Sequence, residues 1–118
     1  MTWIPDLLIA IIALLHVYFL ILEMFLWDKP AGMRAFRHTL ESAAVTKVLA
    51  ANQGLYNGFL AAGLFWGLSL GAAGHDIKVF FLSCILIAGI YGAYSASKKI
   101  LYIQAMPALT ALLLLFLL

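Results

Sequence analysis

Four runs of mostly apolar residues, each near the length of about 20 that a helix needs to cross the hydrocarbon of a bilayer, take up almost all of this 118-residue chain. A helix that is apolar on every side has to be covered on every side, and a chain this short cannot do that for four helices in water. The composition agrees, with 66% hydrophobic residues, 10% charged residues and a mean hydropathy of +1.09, outside the range of soluble domains. The sequence therefore predicts an all-α integral membrane protein, a single domain over residues 1–118 built as an antiparallel bundle of four transmembrane helices.

The predicted spans cover about residues 5–27, 46–70, 77–96 and 100–118. Pro5 suits an early helical position, where its missing N–H is harmless, and Trp27 marks the far interface of the first span. The N-terminal flank has Asp6 but no Lys or Arg, so the first run does not read as a cleaved signal peptide. Between the first two spans, Met33, Phe36 and Leu40 recur at helical spacing with Arg34, Arg37 and His38 between them. That pattern predicts a short helix lying on the membrane surface. The other connections are short, which makes consecutive spans antiparallel neighbours.

Orientation follows from the retention of Lys and Arg on the cytoplasmic side. Lys29, Arg34, Arg37, Lys47, Lys98 and Lys99 fall on one side and Lys78 alone on the other, six against one. Both termini are thus expected on the non-cytoplasmic face. The net charge of +2 is accounted for by this topology, and a nucleic-acid partner is not indicated.

Glu23 demands explanation, because a carboxylate well inside a spanning helix costs on the order of 3 kcal/mol unless it faces protein or water. Counted from the basic ends of the helices, Glu23, Asn52, Gln53, Tyr91, Tyr94 and Gln104 all fall roughly 6 to 10 Å below the cytoplasmic interface. His16 and Asn57 lie deeper, and the opposite half of the bundle is mainly apolar. His16 and Glu23, almost two turns apart, share a face, as do Gln53 and Asn57. If these faces meet, they form a pocket lined by His16, Glu23, Asn52, Gln53, Tyr56, Asn57, Tyr91, Tyr94 and Gln104. Two plainer readings stand beside it. Such groups also serve as interhelical hydrogen-bonding residues at roughly 1 kcal/mol each, and Glu23 is near enough to the boundary to pair with Arg34, Arg37 or Lys47.

Small residues at four-residue spacing let membrane helices approach closely. Gly54 and Gly58 form one such ridge, Gly63, Gly67 and Gly71 a second, and Ala88, Gly92 and Ala96 a third, with Gly89 and Ala93 beside it. One ridge could serve folding and another a homo-oligomer. Pro107 predicts a kink in the fourth helix. Cys84 is a lone cysteine in an apolar run and reads as a small buried hydrophobe. No spacing of His, Cys or carboxylates suits a metal, and no phosphate loop, nucleophile elbow or dinucleotide fingerprint is present. No cofactor or reaction is identified.

The segments HVYFLILEMFLW at 16–27, ANQGLYNGFLAAGL at 51–64, GIYGAYS at 89–95 and IQAMPAL at 103–109 resemble the small bacterial membrane proteins grouped as domain of unknown function 1304. The resemblance covers nearly the whole chain, with NQGLYNGFLA its most specific part. It implies a four-helix protein of the bacterial cytoplasmic (inner) membrane and carries no activity to transfer. Three functions fit the residues. One is a membrane protein that binds, or transforms, a small amphipathic molecule in the polar pocket, and the polar set favours it. The others are an oligomeric transporter or channel subunit using Glu23 and His16 for protons or cations, and a structural or accessory protein.

Overall fold

The computed structural model describes residues 1–118 and is all-α, with no strand. Its helices are α1 (Trp3–Met24), α2 (Pro30–Phe36), α3 (Leu40–Ser69), α4 (His75–Ser95) and α5 (Met106–Leu117). A 3-10 turn, Gly71–Gly74, leads into α4, and a π turn, Leu101–Ala105, leads into α5. Two stretches are long and apolar enough to cross a membrane, Trp3–Met24 and Gly71–Ser95, while Leu101–Leu117 is apolar but shorter. The longest helix, α3, has 30 residues, and Asn52, Gln53 and Asn57 interrupt its apolar character.

The first helix ends at Met24, three residues before the expected Trp27. Past Met24 the chain turns back. Trp27 Nε1 donates to Thr46 Oγ1 at 3.0 Å, and the Trp27 carbonyl accepts a hydrogen bond from His38 Nε2 at 2.9 Å. This return needs Gly32, where an added Cβ would overlap the Leu26 carbonyl. The surface helix is only seven residues long. It opens with Pro30 in its first turn and closes at Arg37, whose φ of 54° lies in the left-handed region. Leu40, expected to belong to it, instead begins α3. The Ser42 N–H donates to Thr39 Oγ1 at 3.1 Å, so Thr39 is an N-cap that starts α3 six residues before the expected Thr46.

Residues 14–61 pack as one unit, and residues 1–13 with 62–118 as another; α1 and α3 contribute to both. In the first unit, α3 lies against α1 through glycines. A Cβ on Gly54 would sit 2.6 Å from Met24 Cγ and 3.1 Å from Glu23 Cβ, and one on Gly58 would sit 2.6 Å from Leu20 Cδ1. In the second, Gly63 lies under the Phe81 ring, Gly67 against Lys78, and Gly89 against the backbone of Ala105. Gly71 is not part of a helical ridge. Its φ is +58° and a Cβ there would meet nothing within 4 Å, so it serves the turn. The inward row of α4 is Lys78, Leu82, Ile85 and Gly89, whereas Ala88 and Ala96 face outward.

Pro107 lies two residues past the end of the π turn. Proline lacks an N–H and crowds the carbonyl four residues back. Widening the preceding turn relieves that crowding, and the Met106 N–H reaches the Leu101 carbonyl, five residues back. The expected kink is thus a π insertion.

Buried apolar positions are unusually small. Ala13, Ala43, Ala50, Ala61, Ala105, Ala108 and Ala111 make up half of the core, while Trp3, Phe25, Phe59, Phe80 and Phe116 are more than half exposed.

Candidate functional site

The inward stripe of α3 runs through Ala43, Ala50, Gly54, Asn57, Ala61 and Leu64, with steps of three, four and seven that keep one face of an α-helix turned inward. The inward side of α1 carries Ile9, Ile12, Ala13, His16, Leu22 and Glu23. Where the two stripes approach, Asn57 Nδ2 donates to Glu23 Oε1 at 2.5 Å. Both residues are buried, at 5% and 7% exposure. Gly54, one turn before Asn57, removes the side chain that would otherwise hold the backbones apart at this point.

His16 is fully buried, seven residues before Glu23 on α1. Its ring meets Phe19 edge-on, with centroids 5.4 Å apart. Every buried side-chain nitrogen and oxygen in the chain has a hydrogen-bond partner. A carboxyl and a carboxamide from two helices, set among alanine, glycine and leucine, can accept and donate hydrogen bonds at one place. Glu23 does not take an arginine or lysine partner: Arg34 and Arg37 are exposed, and Lys47 Nζ pairs with Asp28 Oδ2 at 3.0 Å.

Other members of the expected set point elsewhere. Asn52 is exposed and donates to the Val48 carbonyl of its own helix at 2.8 Å, and Gln53 is exposed beside it. Tyr56, Tyr91 and Tyr94 are 54%, 69% and 86% exposed, and Gln104 is half-buried within the π turn. Gln53 and Asn57 do not share the inward face, because Asn57 lies near the edge of the inward stripe and Gln53, about 40° farther round the helix, falls outside it. Only Asn57 falls on the inward stripe.

Two polar arrangements were not evident from the residues alone. Lys78 is 4% exposed; its Nζ donates to Asp6 Oδ1 at 2.9 Å and to the Gly71 carbonyl at 3.3 Å. Its place one residue into the apolar run was the available signal, since a cation there needs a partner. The other is the aromatic clasp of Trp27, Phe36 and His38, with ring centroids 4.9 Å apart for Trp27–Phe36 and 4.1 Å for Trp27–His38.

The chain is 31% identical to the uncharacterized protein YpaA of Lactococcus lactis subsp. lactis (strain IL1403) over 116 residues, covering 96% of this chain and 97% of that protein. No solved structure matches. Residues 10–116 match the family model described as protein of unknown function (DUF1304), a span that includes α3 and its Glu23 partner Asn57, and the chain belongs to that family.

Proposed function

We propose that this is a bacterial inner-membrane protein in which α1, α3, α4 and the helix ending in α5 all cross the bilayer, with α2 along the cytoplasmic interface and both termini on the opposite side. Small residues inside and large apolar ones outside support that reading. Water would reverse the arrangement, while lipid tolerates an apolar exterior and rewards close backbone approach through small residues. The six-to-one distribution of cations supports the orientation.

Its function is to bind a small amphipathic molecule, whose polar group replaces the mutual hydrogen bond of Glu23 and Asn57 while its apolar part lies among the surrounding helices. The buried carboxyl–carboxamide pair carries this reading. Such polarity is expensive in an otherwise apolar interior, and membrane proteins concentrate it where a ligand or ion is handled. His16, on the same face of α1, supplies a second polar group to that ligand.

Native mass spectrometry of gently extracted protein tests the proposal. A nonlipid adduct is expected on the wild-type chain and on Asn52→Ala, whose side chain faces outward, and is lost on Glu23→Gln. An adduct retained by Glu23→Gln would overturn the site. An adduct-free higher oligomer would replace binding with the transporter or channel reading.

A further inference from the structure

One face of α4 forms a shallow, open groove lined by Ile87, Ile90, Tyr91 and Tyr94. The spacing of three, four and seven residues makes this one stripe, running about 10 Å along the helix axis. All four side chains are more than half exposed. Just beyond Tyr94 the chain turns at Ser97, and Lys98 and Lys99 follow, both exposed.

The charge of those lysines is not matched nearby. No Asp or Glu occurs anywhere from Ile77 to Leu118. Residues 62–118 contain three basic side chains, of which Lys78 is taken up by Asp6, and neither Lys98 nor Lys99 forms an ion pair. The helical turn that opens at Lys99 adds the positive end of its backbone dipole at the same place.

An apolar stripe leading to paired cations, with two tyrosines at the end nearer the charge, fits one kind of occupant: a long hydrocarbon chain joined to an anionic headgroup. A zwitterionic lipid matches the groove but not the net charge, and a soluble anion matches only the lysines. Tyrosine suits the boundary between them, its ring among acyl chains and its hydroxyl among headgroups. We propose that the α4 groove, together with Lys98 and Lys99, selects an anionic phospholipid from the surrounding bilayer. The site rests on the membrane-spanning part of the reading above and is independent of the Glu23–Asn57 pair.

The experiment compares phosphatidylglycerol and phosphatidylcholine retained by full-length protein from mixed nanodiscs, counted by native mass spectrometry. Wild type is expected to prefer phosphatidylglycerol. Removing both charges in Lys98→Gln/Lys99→Gln is expected to lower the preference about thirtyfold, the loss for two cations near an anionic surface. Filling the groove with Ile90→Trp lowers retention while both lysines remain. A preference that survives the double substitution, that is lost instead in Arg34→Gln/Arg37→Gln, or that ignores Ile90→Trp would overturn the assignment. Resistance of each variant to alkaline carbonate extraction reports membrane insertion separately, so failure of the membrane reading is distinguishable from failure of the lipid site.

Discussion

Deleting Asn57 alone leaves the buried carboxyl of Glu23 without the donor it has, whereas deleting both groups leaves nothing polar behind. A buried group stripped of its partner costs about 1–3 kcal/mol, and replacing both partners by apolar groups of similar shape is close to neutral. Asn57→Leu is therefore expected to lower the unfolding midpoint in detergent, and Glu23→Leu/Asn57→Leu to recover most of the loss. Additive losses would mean that the two side chains are not coupled in the folded protein. At the surface, Lys47 donates to Asp28 and holds its carboxyl below the ordinary carboxylate range. A lowered folded value means that the pair's contribution is fully present at neutral pH and fades as pH falls through that value. The stability gap between wild type and Lys47→Gln is expected to be small, constant near pH 7, and absent in strong acid; a gap that widens on acidification would reverse the sign. The interior position of Glu23 was legible in the sequence because a carboxylate in an apolar run has few permitted surroundings. Its partner was less so. Gln53 and Asn57 carry the same chemistry on neighbouring turns, and the choice between them depends on the rotation of α3, which is set by where Gly54 meets α1.

Elements in this protein are separated by glycines with different jobs, and a methyl group distinguishes them. At Gly89 an added Cβ would lie 2.6 Å from the Ala105 nitrogen and 2.9 Å from its Cα, so the backbone of the π turn must move. Overpacking of this kind costs about 1–3 kcal/mol. Gly71 faces open space, and its substitution costs only the left-handed strain of about 1–2 kcal/mol. Thermal unfolding of Gly89→Ala and Gly71→Ala is expected to show the larger drop for Gly89→Ala, with the two shifts adding in the double variant. A larger effect at Gly71 would contradict the close passage of α4 by the π turn. Arg37 offers the opposite experiment: it holds a left-handed conformation at the end of α2, and Arg37→Gly is expected to raise stability by about 1 kcal/mol. Helical spacing located the apolar elements, but it joined Leu40 to the surface helix because hydrophobic period is continuous across the break. The capping residue Thr39 was the legible signal for that break. Pro107 announced a distortion in the last helix; that the widened turn before it brings Ala105 against Gly89 is encoded by no local pattern.

At the scale of the whole molecule the basic residues separate a chain of two crossings from one of four. If only Trp3–Met24 and Gly71–Ser95 crossed, α2 and α3 would remain on one side with Lys29, Arg34, Arg37 and Lys47. Lys98 and Lys99 would then lie on the opposite face, against the retention of cations in the cytoplasm. With four crossings all six fall together on the cytoplasmic side. The extra cost of threading α3 through the bilayer is its polar middle, and Asn57 meets that cost by bonding to Glu23, while Asn52 bonds to its own backbone. Both schemes place the termini on the same side as each other, so tags at the ends cannot tell them apart. The side of the His75 connection relative to the N terminus can, because four crossings place the two on one face and two crossings place them on opposite faces. Cys84 is the sole cysteine, so Cys84→Ala gives a background in which Thr2→Cys, His75→Cys and Ser97→Cys are labelled one at a time with a membrane-impermeant maleimide on intact cells. Four crossings are expected to make positions 2 and 75 both reactive from outside and position 97 reactive only after permeabilisation. Labelling of position 75 from the face opposite position 2 would leave two crossings, move α3 out of the bilayer, and remove the apolar surroundings on which a functional role for the Glu23–Asn57 pair depends.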